Sequence, residues 1–511
     1  MKLGIDFGTS HTVVAEIDSG NYPLVAFGST NGDWLDYYPS LIAVKKDQVL
    51  FGFNALKKAD DPHWYIIRSI KSLLNDANYN QKIQLGELHF DIKDLLNQFL
   101  VQFKQDLIFN SSLKIDPEEK INIAVAVPAN SNNTQRFITV DSFQKAGFEV
   151  LNIINEPSAA TMEYTRAFFK NIDKSAKKYL LVYDLGGGTF DASIAKIHDN
   201  NNRIIATQGL FKLGGDQFDE VLADIVKEKL PENTLLSYKD QVRLLQICKE
   251  EKEKISPHSK NILLEWGLNG QESHLYKISV QEYYSRCEFL IDQTVKVINR
   301  IIHRVAKKEI FDDFSSIYLV GGMSNFPLIS RHLRKIYGNH KIRKSSNCVG
   351  AVAIGLAILL NRDHQFVLEE SLTQHFGLWR EEDHGRRMIF DPIFRKDHQL
   401  PVKGKLQVVY RRKYRPAHNI GVFRFQECSL LLQEQPGGLV SLWDTLYFPF
   451  DPSLQGRDIR NIAVCRFKKP LAFEIEEIFY RNSVGDITVQ ISNKFNGFTQ
   501  VYRLIRKKFS V

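Results

Sequence analysis

A chain of 511 residues is too long for a single hydrophobic core, so two to four domains are expected. Its composition, 43% hydrophobic and 25% charged, is that of an ordinary globular protein, and no apolar run approaches the ~20 residues needed to cross a bilayer. The formal charge of +8 is concentrated late: Arg380–Val511 carries 23 Lys and Arg against 14 Asp and Glu. That excess reads first as a solvated basic face, with an acidic ligand, nucleic acid or a membrane surface as the alternatives. Five scattered cysteines (Cys248, Cys287, Cys348, Cys428, Cys465) without a CxxC pair argue against a disulfide framework or structural zinc, and for a reducing, cytoplasmic setting.

The opening MKLGIDFGTSHTVVAEI carries Asp6 and no small-residue cleavage site, so it reads as strand, turn, strand and not as a signal peptide. Tyr38–Ala59 reads as short strands followed by a helix. Tyr65–Leu74 reads as a helix carrying Ile66, Ile67, Ile70, Lys71 and Leu74, where Lys71 by itself would be a solvated lysine. Ile121–Pro128 (INIAVAVP) is a continuous apolar run of the kind buried in a central sheet, and the helix after it holds Gln135 and Arg136. Val150–Pro157 is another strand, ending at Glu156, with Pro157 near the first turn of the next helix. A carboxylate at the C-terminal end of a strand in an α/β sheet stands where ligands collect.

Tyr179–Ile194 (YLLVYDLGGGTFDASI) places three glycines between two apolar strands. Glycine accepts φ > 0 without steric cost, so successive N–H groups can turn inward as an anion-binding nest. Asp184 beside such an anion calls for a cation between them, which points to Mg²⁺ held largely through water. The first hairpin repeats the layout of strand, Asp, apolar residue, Gly and small hydroxyl residue. Two matched hairpins roughly 180 residues apart point to an internal duplication, with two lobes gripping one phosphate chain. Further on come Leu213-Gly214-Gly215-Asp216, a helix at Phe218–Leu230, a charged helix at Gln241–Ser256 and a strand at Asn261–Trp266. Ile317–Pro327 follows, with Gly321-Gly322 open to a flat group, and Gly350–Leu360 reads as a tightly packed helix.

DFGTSHT, VAVPA…TQR, INEPSAA, YDLGGGTFDAS, LGGDQFD, LVGGMSNFP and AVAIG follow the order and spacing of the 70-kDa heat-shock chaperone (DnaK-like) ATPase domain, which Met1–Leu360 resembles. The resemblance implies an α/β actin-like fold, duplicated and two-lobed, over residues 1–362. It also implies ATP/ADP with Mg²⁺ as cofactors and slow hydrolysis of ATP to ADP and phosphate. Gly8, Thr9 and Ser10 from one hairpin, and Gly186, Gly187, Gly188 and Thr189 from the other, are then expected on the phosphates, with Asp6 and Asp184 on the Mg²⁺ water shell. Lys71 falls on the lysine near the γ-phosphate and Glu156 on the water-orienting glutamate. Phosphoryl transfer to water needs those roles, charge neutralisation and a placed nucleophile, more than it needs a strong base.

Gly214, Gly215, Lys252, Ser256, Gly321 and Gly322 complete the implied nucleotide site, with departures. Glu253 and Asn325 stand where the family has ring-stacking arginines, and Lys249 stands where it has a glutamate near the ribose. Losing two stacking guanidiniums removes about 1–2 kcal/mol, so nucleotide affinity in the micromolar range is expected. His11, close to the γ-phosphate by the same resemblance, implies a pH-dependent turnover.

Residues 363–372 occupy the place of the family's interdomain linker, with Val367, Leu368 and Glu370 matching its pattern, and Pro128 and Arg136 match positions that couple the two domains. Such a linker docks in one nucleotide state and comes free in the other. Residues 373–511 read as all-β: MIFDPIF, KLQVVY, NIGVFRF, FEIEEIFY and DITVQIS alternate between Pro, Gly and Asn turns. They resemble the family's β-sandwich for extended peptides, without the long helical lid, so bound peptide should leave quickly.

The implied function is an ATP-dependent, chaperone-like protein acting on unfolded or extended peptide, with a J-domain co-chaperone and a nucleotide exchange factor as partners and no DNA or membrane span. A competing reading is an ATP-switched regulatory protein whose basic β-domain recognises one acidic partner. A sugar-kinase or actin-like reading shares the cleft but lacks a linker and a β-sandwich after the last helix.

Overall fold

The computed structural model describes residues 1–504 apart from 30, 47, 60, 62, 69, 72–81, 86–87, 130, 132, 169–177, 199, 232–233, 269–271, 307–313, 362–365, 370–373, 397–407, 433–434 and 483–486. The chain forms two units, Met1–Asn130 with Gln135–Leu368, and Ser131–Thr134 with Glu369–Val511.

Two sheets of one design organise the first unit. In one, Glu149–Asn155, Asn122–Val127, Lys2–Phe7, His11–Glu16 and Tyr38–Pro39 lie side by side in that order. In the other, Ile342–Lys344, Ser316–Val320, Lys178–Leu185, Thr189–His198 and Asn201–Phe211 do the same. Each sheet has a central strand paired in parallel on one side and antiparallel, through its hairpin, on the other. Asn122–Val127 and Lys178–Leu185 are buried along most of their length, which is why they read as continuous apolar runs and not as alternating ones.

Two helices, Glu156–Phe168 and Ala351–Leu360, share one core cluster with strands of both sheets, built from Ala124, Ala159, Val182, Tyr318 and Leu356 among others. Small residues set their spacing. A Cβ on Gly355 would run into the Ala159 backbone, so this crossing exists only because position 355 has no side chain.

The helix expected over Tyr65–Leu74 is not continuous. Tyr65–Ile67 is a strand, pairing antiparallel with Ile42–Val44, and helical geometry begins only at Ile70-Lys71, while Leu74 falls outside the described residues. Three consecutive bulky residues, two of them β-branched, fit an available sheet edge better than a helix turn. The helices expected at Phe218–Leu230 and Gln241–Ser256 begin earlier, at Gly215 and Tyr238, where Gly214 and Ser237 provide N-caps; the second ends at Glu253.

Val367–Glu369 adds a sixth strand beside Asn201–Phe211. The Val367 N–H donates to the Asn200 carbonyl at 2.8 Å, and Asn202 Nδ2 donates to the Val367 carbonyl at 3.4 Å. Phe366 is buried with Met162 and Ile358, and Leu368 packs against that cluster, while Val367 remains exposed. Glu370 lies outside the described residues.

The second unit holds two antiparallel four-stranded sheets. One runs Arg387–Phe394, His375–Glu382, Ile420–Leu432, Gln435–Pro449, and the other Val408–Tyr414, Ile475–Arg481, Ile487–Asn493, Thr499–Arg503. Phe376, Phe425 and Trp443 from the first meet Ile475, Phe479 and Val489 from the second in one core, a sandwich in the arrangement the alternating segments predict. A charged tie crosses this core. Arg380 donates two hydrogen bonds to the fully buried Glu477, at 3.1 and 2.7 Å, and a third to Asp391 at 2.5 Å.

Candidate active site

The two hairpins close in the same way: Gly8 N–H donates to the His11 carbonyl at 3.1 Å, and Gly186 N–H to the Thr189 carbonyl at 3.0 Å. Each is braced from behind. Ser40 N–H donates to Ser10 O and Ser40 Oγ to Gly8 O, while the amides of Gly215 and Asp216 donate to Gly186 O and Gly187 O. The tips nearly touch, since a Cβ on Gly187 would lie 2.5 Å from Ser10 Oγ and one on Gly188 would lie 3.0 Å from Thr9 Cγ2. Between them opens a cleft of about 330 Å³.

Asp6, Gly8, Thr9, Ser10, His11, Lys71, Glu156, Asp184, Gly186, Gly187, Thr189, Gly215, Lys252, Glu253, Gly321, Gly322 and Asn325, residues from seven separate stretches of sequence, all line this cleft. Gly188 and Gly214 do not. They form the packing behind its rim, where a Cβ on Gly214 would lie 2.7 Å from the Gly187 backbone. Ser256 is placed differently from the expectation: the helix has already ended, Ser256 is exposed with its Oγ 3.1 Å from Ser259 Oγ, and Ile255 lines the cleft instead. Pro128 and Arg136 are buried away from the cleft, Arg136 donating to Asn155 Oδ1.

Carboxylates crowd the floor. Burial, reinforced by Glu156, pushes Asp6 up to about 7 and Asp191 up to about 8, and burial raises Asp184 well above the usual range, helped by Glu156, Asp191 and Asp6. Lys71 is the counter-charge, donating to Glu156 Oε1 at 2.6 Å. Burial works against its ammonium, but Glu156 and Asp6 outweigh that and hold it above its ordinary range. Asp6 Oδ1 is buried without a hydrogen-bond partner. Oxygen donors of this kind, with one lone pair unsatisfied, fit a hard divalent cation such as Mg²⁺.

A second charged cluster crosses the cleft. Arg68 reaches from beyond the Tyr65–Ile67 strand to Asp219 at 2.9 Å and Asp216 at 3.8 Å, and Lys252 meets Asp219 at 2.6 Å and donates to Gly215 O at 2.9 Å. His11 packs on Tyr37 with ring centroids 4.0 Å apart. Burial, Lys249 and Lys252 hold its imidazole well below its ordinary value, which favours the neutral ring.

Tyr37, Asp216 and Asp219 also line the cleft and are not among the residues the sequence reading places there, whereas Lys249 lines it as expected of its place near the ribose. Asp216 and Asp219 lay within the LGGDQFD motif, three residues apart at a helix start, where both face one way. Tyr37 carried no such signal.

The Hsp70 protein family model matches residues 2–361. Similar proteins include a chaperone protein dnaK from Thalassiosira pseudonana, 30% identical over 384 residues, covering 70% of this chain and 61% of that one. A chaperone protein DnaK from Thermosipho africanus is 32% identical over 423 residues, covering 78% and 66%. The chain thus spans about three fifths to two thirds of the length of the relatives it matches. With the matched model covering most of the sequence and the two-lobed, actin-like cleft lying inside it, the chain belongs to the Hsp70 family.

Proposed function

We propose that this protein binds ATP with Mg²⁺ in the cleft, hydrolyses it slowly, and couples that cycle through a linker at 363–372 to a β-domain, 373–511, that holds extended peptide. The observation that carries this is the Lys71–Glu156 pair, seated between the two matched hairpins and beside Asp6. The hairpin tips, Gly8–Ser10 and Gly186–Thr189, hold the phosphates through backbone amides and hydroxyls. Lys71 neutralises charge on the terminal phosphoryl group, and Glu156 orients the attacking water without having to be a strong base. Asp6 and Asp184 would hold Mg²⁺, and the cation would neutralise phosphate charge there. Lys252, Gly215, Gly321 and Gly322 line the rest of the nucleotide's path, with Glu253 and Asn325 offering no cationic stacking face, which supports a micromolar affinity.

The docked Val367–Glu369 strand supports a linker that can exchange between sheet edge and free chain. Family membership supports peptide clients, a J-domain co-chaperone and an exchange factor as partners. The test is MgATP turnover of wild type and Thr189→Ala, with and without assorted apolar peptides. Turnover that rises with peptide and collapses in the variant is expected. Turnover indifferent to every peptide would favour the regulatory switch, and absence of nucleotide binding would sink both readings.

A further inference from the structure

The β-unit contains a pocket of about 480 Å³ between the hairpin 381–385 and the loop 415–418, floored by Leu378, Ile420, Phe423 and Phe450. A strap of the chain's own backbone runs along one side. Phe467 N–H donates to Ala417 O at 2.7 Å and Asn419 N–H to Cys465 O at 3.1 Å, so the strap lies on the loop as an added antiparallel strand, with His418 opposite Arg466. From the strap, Arg466 reaches across the mouth to Glu381 at 2.5 Å, over Gly385, and His418 Nε2 lies 3.5 Å from the other Glu381 oxygen. The pocket is therefore bridged by one carboxylate held between a guanidinium and an imidazole. Both Arg466 and Glu381 keep more than a third of their side-chain surface exposed, so the bridge is of the exchangeable, solvent-screened kind.

The charge around this mouth is uneven. Arg415 and Arg424 on the pocket wall, and Lys468 and Lys469 next along the strap, have no acidic partner among the described residues. Among the acidic residues described on the hairpin side, Glu382 and Asp383 are similarly uncommitted. The floor is apolar, with Phe423 and Phe450 buried edge against face, so it offers a socket for a side chain and no open ring for a base to stack on.

Resting on the reading of the β-unit as a peptide holder, we propose that this pocket receives an extended acidic segment of a partner protein, and that Glu381 stands in for the partner's carboxylate on Arg466 until that segment arrives. An apolar residue of the segment fills the floor, and its acidic neighbours displace Glu381 and face the basic strap. Electrostatic complementarity of this sort selects among partners more than it adds raw affinity.

The test uses the full chain and three fluorescein-labelled peptides with one Leu-Val core, flanked by Asp/Glu, by Lys/Arg or by Ser, read by anisotropy. The acidic peptide is expected to bind about two- to fivefold tighter than the Ser-flanked one and more tightly still than the basic one, with the differences shrinking in about 0.5 M salt. Glu381→Gln should tighten the acidic peptide by removing the internal competitor. Arg466→Gln should weaken it and leave the Ser-flanked peptide unchanged, and matching thermal unfolding curves establish that both variants are folded. Equal binding of the three peptides, preference for the basic one, or ready displacement by an RNA homopolymer would overturn the proposal while leaving a peptide- or anion-binding unit. Failure of all three to bind would instead remove the peptide-holding reading on which it rests.

Discussion

Lys71 Nζ and Glu156 Oε1 lie 2.6 Å apart on the cleft floor, and among the described residues that pair is the sole salt bridge made by Asp6, Glu156, Asp184 or Asp191. Lys71→Ala should reduce MgATP turnover by about a hundredfold or more, because charge neutralisation in the transition state is lost. Binding of MgADP should change far less, since the amides of both hairpins remain. Single-turnover hydrolysis set beside calorimetric MgADP binding separates the two effects. An equal loss in both would assign Lys71 to ground-state binding.

His11 gives a pH prediction for stability. Its folded pKa is depressed while the unfolded value is about 6.5, so between the two the unfolded chain binds more protons and stability falls as pH drops below about 6.5. Above pH 7 the residue contributes no pH dependence. Urea unfolding at pH 7.5 and 5.5 should show a smaller acid-induced loss in His11→Gln than in wild type. An identical loss in both would contradict the environment described for this imidazole.

Arg380 ties the two sheets of the β-unit through Glu477 and also holds Asp391 of its own sheet. Arg380→Ala should destabilise that unit by about 3–5 kcal/mol, because it strands a carboxylate with no exposure at all. Adding Glu477→Gln should recover part of the loss. Calorimetry of the full chain would register it as a drop in one transition, whereas an unchanged profile would mean the core rearranges around the gap.

Thiol chemistry offers a direct check of burial. Cys248, Cys287, Cys348 and Cys428 are buried and Cys465 is exposed. Burial pushes Cys287 up to about 12 and Cys348 up to about 11, so neither forms a useful thiolate at neutral pH. Ellman's reagent should titrate one thiol quickly in the native protein and the rest only after denaturation.

Much of this architecture could be read from residue order, and the reasons differ by element. Asp6-to-His11 and Asp184-to-Thr189 were legible because glycine turns with a following hydroxyl are local patterns, and their shared geometry is local as well. Tyr65–Ile67 was misread because its strand character depends on an edge supplied by Ile42–Val44, twenty residues earlier. The Arg68–Asp219–Lys252 cluster was invisible for a related reason: three ordinary charged residues, far apart in sequence, become one network only when the lobes face each other. Ser256 failed at a boundary, since the helix ended three residues short of it. Glu253 and Asn325 line the cleft, and neither carries a cationic face.

Val367–Glu369 has one more consequence. The strand Asn201–Phe211 would otherwise be the open margin of a five-stranded sheet, presenting a row of unpaired N–H and C=O groups to any passing chain. The docked segment caps that margin, and the Val367 amide is one of the bonds that seals it. Whenever the segment leaves, the protein trades a covered edge for a sticky one, so a cycle that frees it also exposes the molecule to self-association. A Val367→Pro chain, unable to donate that bond, should form light-scattering aggregates sooner on mild warming than wild type does.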